Sequence, residues 1–525
     1  MANDFDAVVI GSGFGGAVSA LRLAEGGYRV LVLERGRRWV RDQYPSVTRR
    51  DWLWNEAHPD RENGWLDIRL HGNIGTVAGS GVGGGSLHFA NVVIDAHEDF
   101  FRAGWPPEIN YQVLAPYYQR VSDVLHPRRI PSNQFSNRTK LLKEAALAAG
   151  FAAQYDEVDL NIKFDDNYTY DASREPRAED SVQKPNADGI NQGFCVHLGD
   201  CVLGCPVEAR NTLALNYIPR AEKKGAEVRP LHLVRKIEPT GEGYRVHFDR
   251  IQPGKLIPGS VTGRIVVVSA GSIGSTELLL RCQKQHKTLP DFGKLLGSHW
   301  CTNANYLSPA FHDRKIYPSR GPTITAGIRF FGDNHFKGNR FMIEDGGVPD
   351  LLKQYQQNLK NPSGDAQKFA AALGALYKGL LQQPFDNLMP WFAQGRDEPT
   401  GKFKVEKEFF GLFGKHVLRL DWKTSSARKV LDGIQEVHRK LADKTGGKFI
   451  IQNPDAFITP HPLGGCPLGS SPADGVVNQF GESFAYRNLY VADGSIMPAP
   501  VGHNPSKTIA ALSERIVESI VNEGR

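Results

Sequence analysis

Apolar runs of two kinds alternate along the chain: short unbroken ones that fit buried strands, and longer ones with helical spacing. Residues 5–36 contain both. Asp6-Ala-Val-Val-Ile10 leads into a glycine turn at Gly11–Gly16, an Ala/Leu-rich helix to Glu25, and a second strand at Tyr28-Arg-Val-Leu-Val-Leu33. This is one βαβ unit. Residues 72–96 are dense in glycine, and 98–127 have helical spacing with a break at Trp105-Pro-Pro107. Residues 160–194 are polar and weakly periodic, which predicts a long surface excursion. The α/β style returns near Asn211, with a helix to Lys224 and strands at Ala226–Ile237 and Tyr244–Asp249. Arg264-Ile-Val-Val-Val-Ser269 then runs into a second glycine turn at Ala270–Gly274 and a helix. It returns once more at Leu489-Tyr-Val-Ala492, followed by a closing helix from about Pro505 to Val521.

Between them, residues 306–455 mix strand-like runs such as Arg340-Phe-Met-Ile-Glu344 with an apolar segment from Ala366 to Phe392. Phe369, Leu373, Leu376, Leu380 and Leu381 are spaced helically there, which predicts a helix lying over the site entrance. The expected fold is α/β. A Rossmann-like nucleotide-binding domain is assembled from discontinuous segments, 1–100, 195–305 and 456–525. An α+β substrate domain with an antiparallel sheet takes 101–194 and 306–455.

The 525-residue length supports two domains rather than one. Hydrophobic residues at 40%, charged residues at 23% and 55 glycines describe a globular chain with many tight turns. The net charge of +6 is spread over 63 basic and 57 acidic residues without a basic run, so a nucleic-acid partner is not expected. No stretch of about 18 apolar residues predicts a membrane span. The first strand begins too early to leave room for an export signal. Six cysteines, three of them dispersed, do not make a disulfide framework in a chain this size, and a reducing cytoplasm is the expected location.

Gly11-Ser-Gly13-Phe-Gly-Gly16 fits GxGxxG between strand and helix, with Glu34 ending the next strand. Gly11 permits the turn, Gly13 lets the backbone approach a pyrophosphate, Gly16 allows close helix packing, and Glu34 can accept from ribose hydroxyls. The motif alone does not separate FAD from NAD. Two features favour FAD: the run Gly79–Ser86, where Gly84 and Gly85 suit close approach to a large flat ligand, and Asp493-Gly494 followed by a helix start at Pro505-Ser506.

Together with His461-Pro-Leu-Gly-Gly-Cys466 and Gly502-His-Asn-Pro505, these segments resemble the glucose/methanol/choline (GMC) oxidoreductase family, in its cholesterol-oxidase-like branch. The resemblance implies non-covalently held FAD contacted by Glu34, Gly84, Gly85, Val234, Asp493, Gly494 and Ser506. It also implies a His461–Asn504 pair facing the flavin, and hydride transfer to flavin N5 from a hydroxyl-bearing carbon of a bulky, sterol-like alcohol. Oxygen or an external acceptor would then take the electrons. Sterol oxidases often have Asn-Gly after the glycine run, where this chain has Phe89-Ala90-Asn91.

Histidine suits the proton role because it titrates near neutrality, and asparagine orients a hydroxyl without titrating. Glu344, ending an apolar run, is the alternative base if burial raises its pKa. Cys195, Cys201 and Cys205 resemble the cysteine motif of iron–sulfur FAD glucose dehydrogenases, which implies a 3Fe-4S cluster as a further expectation. That cluster would favour a sugar or polyol dehydrogenase feeding a partner protein. A lyase that keeps the flavin as structure is the remaining alternative.

Overall fold

A computed structural model of the chain describes residues 3–43, 52–349, 384–410, 413–451, 453 and 457–524. Its main sheet has seven strands: β1 (Phe5–Ile10), β2 (Val30–Leu33), β8 (Glu227–Arg229), β9 (His232–Thr240), β10 (Gly243–Gln252), β11 (Lys255–Val268) and β20 (Leu489–Val491). The path runs β8-β2-β1-β11-β10-β9, and β20 also pairs with β11. Strand β11 changes partners along its length. Its first half pairs antiparallel with β10, while Ile265–Val268 lie parallel to β1, and Val266–Val268 parallel to β20. All four residues of β2 are buried, as a parallel strand covered on both faces requires.

Helix α1 (Phe14–Glu25) packs on this sheet and against the closing helix α7 (Ser506–Glu523) and α4 (Tyr217–Lys223). The three are tied by one fully buried carboxylate. Glu514 accepts from Arg22 Nε at 2.7 Å and Nη2 at 3.0 Å, and from the Tyr217 hydroxyl at 3.1 Å.

The second large sheet is antiparallel, in the order β18 (Lys448–Phe449), β12 (Tyr306–Phe311), β15 (Leu388–Gly395), β14 (Phe341–Asp345), β13 (Ala326–Phe330), β5 (Tyr155–Glu157). Helices α3 (Asn137–Ala148) and α6 (Arg428–Lys444) pack against it. Register places Glu344 opposite Phe392, and Phe392 opposite Leu307, so these three side chains share a face. A three-stranded sheet joins β3 (Leu66–His71) and β4 (Ile74–Gly79) to β19 (Phe457–Thr459). Two ribbons, β6 (Gln183–Pro185) with β7 (Asn191–Gly193) and β16 (Lys402–Phe410) with β17 (Phe413–Asp421), complete the strands described. Helix α2 (Tyr111–Leu125) starts at Asn110, whose side chain accepts from Val113 N at 3.0 Å, and α5 (Gly271–Arg281) follows the second glycine turn.

One expectation is refined and one changes. The helical spacing over 98–127 resolves, on either side of the expected break at Trp105-Pro-Pro107, into a short 3-10 turn at Glu98–Arg102 and α2. The helix expected over Ala366–Phe392 lies outside the described residues up to 383, and its end, Leu388–Phe392, is strand β15. That strand is buried on both faces, and an unbroken apolar run carries no period by which to tell strand from helix.

Removing one partner of a buried ion pair leaves an uncompensated charge. Arg22→Ala should therefore cost about 3 kcal/mol in urea unfolding, whereas Glu25→Gln, which loses only the more exposed Arg22–Glu25 pair, should stay within about 0.5 kcal/mol of wild type.

Candidate active site

The glycine turn after β1 is closed by hydrogen bonds rather than by side-chain packing. Gly11 has φ +95°, a conformation that favours glycine, and its N–H donates to Leu33 O at 2.8 Å. Ser12 donates from N and Oγ to Glu34 Oε2 at 3.0 and 2.7 Å, and Gly36 N donates to Oε1 at 2.9 Å. Ser12 Oγ in turn accepts from Gly83 N at 3.1 Å, so the first turn and the later glycine run are bound together. Gly84, at φ +51°, lies against Gly13 with no room for a side chain between them.

These segments border a cavity of about 440 Å3. Gly11, Gly13, Glu34, Gly84, Gly85, Val234, Asp493, Gly494 and Ser506 line it, together with His461 and Asn504. Gly16 does not; a Cβ there would collide with the Gly11 carbonyl, which puts this glycine in the packing of α1 on the turn. No side chain caps the first turn of α1 or of α7, so both helix starts offer N–H groups and a favourable dipole toward the cavity. Asp493 is a structural knot, accepting from Gly271 N (2.8 Å), Ser275 Oγ (2.5 Å), Ser495 N (2.8 Å) and Ser495 Oγ (2.6 Å). Two open helix starts, a buried acceptor at the end of β2 and backbone close enough for flat contact fit the diphosphate, ribose and ring of FAD.

Leu307, Ile324, Val348 and Phe392 give the same cavity an apolar stretch of wall, alongside His461 and Asn504. Burial, then neighbouring His88 and His503, push the His461 pKa down to about 3, so the ring is neutral. Its Nδ1 lies 2.9 Å from Asn305 Oδ1. Asn504 is buried with its Oδ1 unpartnered in the chain. Glu344 is fully buried and does not line the cavity. Its Oε2 accepts from Gln394 Nε2 at 2.7 Å, and Oε1 has no partner. Burial raises its pKa to about 8, adjacent Asp345 adds to the rise, and Gln394, Arg329 and Asn504 oppose it. Glu344 is thus protonated at neutral pH.

His88, Asn305 and Gln394 were missed from the sequence. His88 closes the glycine run already singled out, and the polar Thr302-Asn-Ala-Asn305 between apolar Trp300-Cys301 and Tyr306-Leu307 was the available signal for Asn305.

Nothing in the described residues supports the iron–sulfur expectation, although Cys195, Cys201 and Cys205 do line one small hollow. Cys195, Cys201 and Cys205 are free thiols, and among the described residues no three His, Cys, Asp or Glu side chains are arranged to hold a metal. The hollow beside them is about 20 Å3. In the metal-free chain, burial raises the pKa of Cys195 and Cys205. Spacing along the chain did not fix where the sulfur atoms point.

A sheet whose parallel strands end on a cavity lined by the glycine turns and a neutral histidine fits a Rossmann-type flavoprotein oxidoreductase. The comparisons agree. A family model described as FAD binding domain matches residues 6–39, and one described as GMC oxidoreductase matches residues 414–513. The chain is 28% identical to a cholesterol oxidase of Acinetobacter baumannii, over 98% of this chain and 94% of that protein. It is 29% identical to a cholesterol oxidase of Mycobacterium tuberculosis, over 100% and 92%. A solved fungal aryl-alcohol oxidase shares the fold at TM-score 0.59 and 14% identity, with both chains fully covered. These matches support a place among the GMC oxidoreductases, on the cholesterol-oxidase-like side of the family, and an assignment as an FAD-dependent alcohol oxidoreductase. Among the described residues no helix is long and apolar enough to cross a membrane.

Glu344 makes stability depend on pH. Its folded pKa, about 8, lies above the ordinary 4.5, so the folded state holds a proton that the unfolded chain releases. Its contribution is fully present below the unfolded value and falls by about 1.4 kcal/mol per pH unit as pH rises toward the folded one. Urea unfolding across this window should show wild type losing stability relative to Glu344→Gln as pH rises; parallel curves would refute the burial of an unpaired acid.

Proposed function

We propose that this chain oxidises the hydroxyl-bearing carbon of a bulky, apolar alcohol of sterol-like size to the ketone or aldehyde. The observation that carries this reading is the cavity itself, whose lining combines the dinucleotide turn, His461 and Asn504 with the apolar side chains of Leu307, Ile324, Val348 and Phe392. The names of the two bacterial relatives, both cholesterol oxidases, support the substrate class.

The proposed division of the chain assigns 1–100, 195–305 and 456–525 to the cofactor, and 101–194 and 306–455 to the substrate. FAD held by the glycine turns and Glu34 would supply the hydride acceptor, at N5, for the carbinol carbon. The chain's own task is to hold the substrate hydroxyl and receive its proton. His461, neutral and bordering the cavity, is the acceptor of that proton, and Asn504 orients the hydroxyl. Glu344 stands behind Asn504 as a neutral acid at working pH, so its contribution is to keep the site uncharged. The apolar walls exclude water from the reacting atoms.

Substitution separates these roles. His461→Ala should retain FAD yet slow anaerobic bleaching of the flavin by a sterol by about 10²- to 10⁴-fold. Glu344→Gln, which copies the protonated acid, should stay near the wild-type rate at pH 7. Normal bleaching in His461→Ala with a defect only in Glu344→Gln would transfer the base role to the carboxylate, and no bleaching by any alcohol in wild type would overturn alcohol oxidation.

A further inference from the structure

The segment Thr302–Asn305 carries no side chain that the reaction itself requires, yet its hydrogen bonds end at the active-site imidazole. Asn305 Nδ2 donates to Thr302 O at 2.7 Å and to Thr459 Oγ1 at 2.8 Å. A carbonyl oxygen only accepts, so the amide can sit only one way round, with Oδ1 toward His461. The Thr459 hydroxyl is equally committed: it donates to Thr302 O at 2.8 Å and accepts from His461 N at 3.0 Å. Asn305 Oδ1, 2.9 Å from His461 Nδ1, therefore has a ring N–H to accept. In a neutral imidazole the proton on Nδ1 leaves Nε2 bare.

We propose that Asn305 is a positioning residue that fixes His461 in the Nδ1–H tautomer, so that Nε2 is kept as the acceptor for the substrate hydroxyl. This rests on the role given to His461 in the proposed function. The frame around Asn305 is rigid. Thr302 donates from N and Oγ1 to buried Asp397 Oδ2 at 2.8 and 2.7 Å, and Thr302 Oγ1 accepts from Ala304 N at 3.1 Å. Asn303 and Ala304 hold φ values of 55° and 41°; left-handed backbone at a non-glycine residue such as Ala304 persists only where the surroundings over-determine it. The charged and titratable neighbours do not compete for this control. His88 and His503, which face His461, are themselves held neutral by burial, and Asp397 is engaged by Thr302 and the Ala304 backbone rather than by the imidazole.

The test uses the holoenzyme labelled with 15N-histidine, with the His461 signals assigned by their loss in His461→Gln. In wild type, Nδ1 should be protonated and Nε2 bare at neutral pH. Asn305→Leu removes the acceptor and should give a mixture of tautomers, with flavin bleaching by alcohol slowed about 10- to 100-fold, the usual effect of losing a partner that orients an imidazole. Asn305→Asp keeps the shape and serves if the leucine variant does not fold. Its carboxylate should raise the His461 pKa by about 1 to 3 units, and the acidic limb of the bleaching rate should move up with it. A purely structural asparagine would lower folded protein without moving either the tautomer or the limb. An unchanged His461 tautomer and pKa in both variants overturns the positioning role. An altered tautomer with unchanged bleaching leaves the positioning intact and instead overturns the proton role assigned to His461.

Discussion

The parallel pairing of β1, β11 and β20 is the constraint from which the cofactor site follows. Val8 lies beside Val266, and Val266 beside Leu489, so strands more than two hundred residues apart in sequence run in the same direction and end at one edge. Parallel strands place their carboxyl ends together, and a ligand cleft forms where the chain leaves them. Gly11 follows β1, Glu34 follows β2, Ala270-Gly271 follow β11, and Asp493 follows β20. The Ser269 hydroxyl donates to Ala492 O at 2.9 Å and Gly271 N donates to Asp493, locking the last two exits together. Loss of register in β11 would scatter all four.

This geometry explains why the candidate cofactor side is legible in sequence and much of the candidate catalytic side is not. A strand, its glycine turn, and the acid ending the next strand are contiguous or nearly so, and each residue is dictated by local backbone. Asn305 and His461, by contrast, are 156 residues apart, and Gln394 and Glu344 are 50 apart. Their relation is created by sheet register and by loops folded across it, for which no local period exists. His461 and Asn504 were visible only because they stand within recognisable motifs. The cysteine triplet illustrates the complementary limit: its spacing does bring the three side chains to one hollow, but among the described residues no three His, Cys, Asp or Glu side chains are arranged to hold a metal.

Burial also dictates the charge state of the catalytic half. Removing water penalises the ionised form of every titratable group, so His88, His461 and His503 are depressed and Glu344 is raised. A site kept neutral in this way relies on hydrogen-bond direction rather than on charge, and direction must be set by residues that cannot titrate. Asparagine and glutamine do this in three places. Asn305 faces His461. Asn303 donates to Gln394 Oε1 at 3.3 Å and to His503 O at 2.9 Å, and Gln394 Nε2 is turned to Glu344.

The adjacent acids of β14 show how the same burial yields two different residues. Consecutive side chains of a strand point to opposite faces, and Glu344 shares its face with Leu307 and Phe392, so Asp345 points the other way, toward α3. There it accepts from Thr325 N at 2.7 Å, Thr325 Oγ1 at 2.5 Å and Ala326 N at 3.0 Å, with Arg138 as counter-ion at 3.4 Å. Burial raises its pKa too, but Arg138 and these donors oppose the rise. Glu344 has one firm donor and an oxygen with no partner. An acid so sparsely compensated keeps its proton near neutrality, whereas its neighbour anchors a helix to the sheet. A one-residue slip of β14 would turn Glu344 toward α3 and Asp345 away from Arg138 and its Thr325 and Ala326 donors, so the register of this single strand sets which acid is ion-paired and which is left with one firm donor.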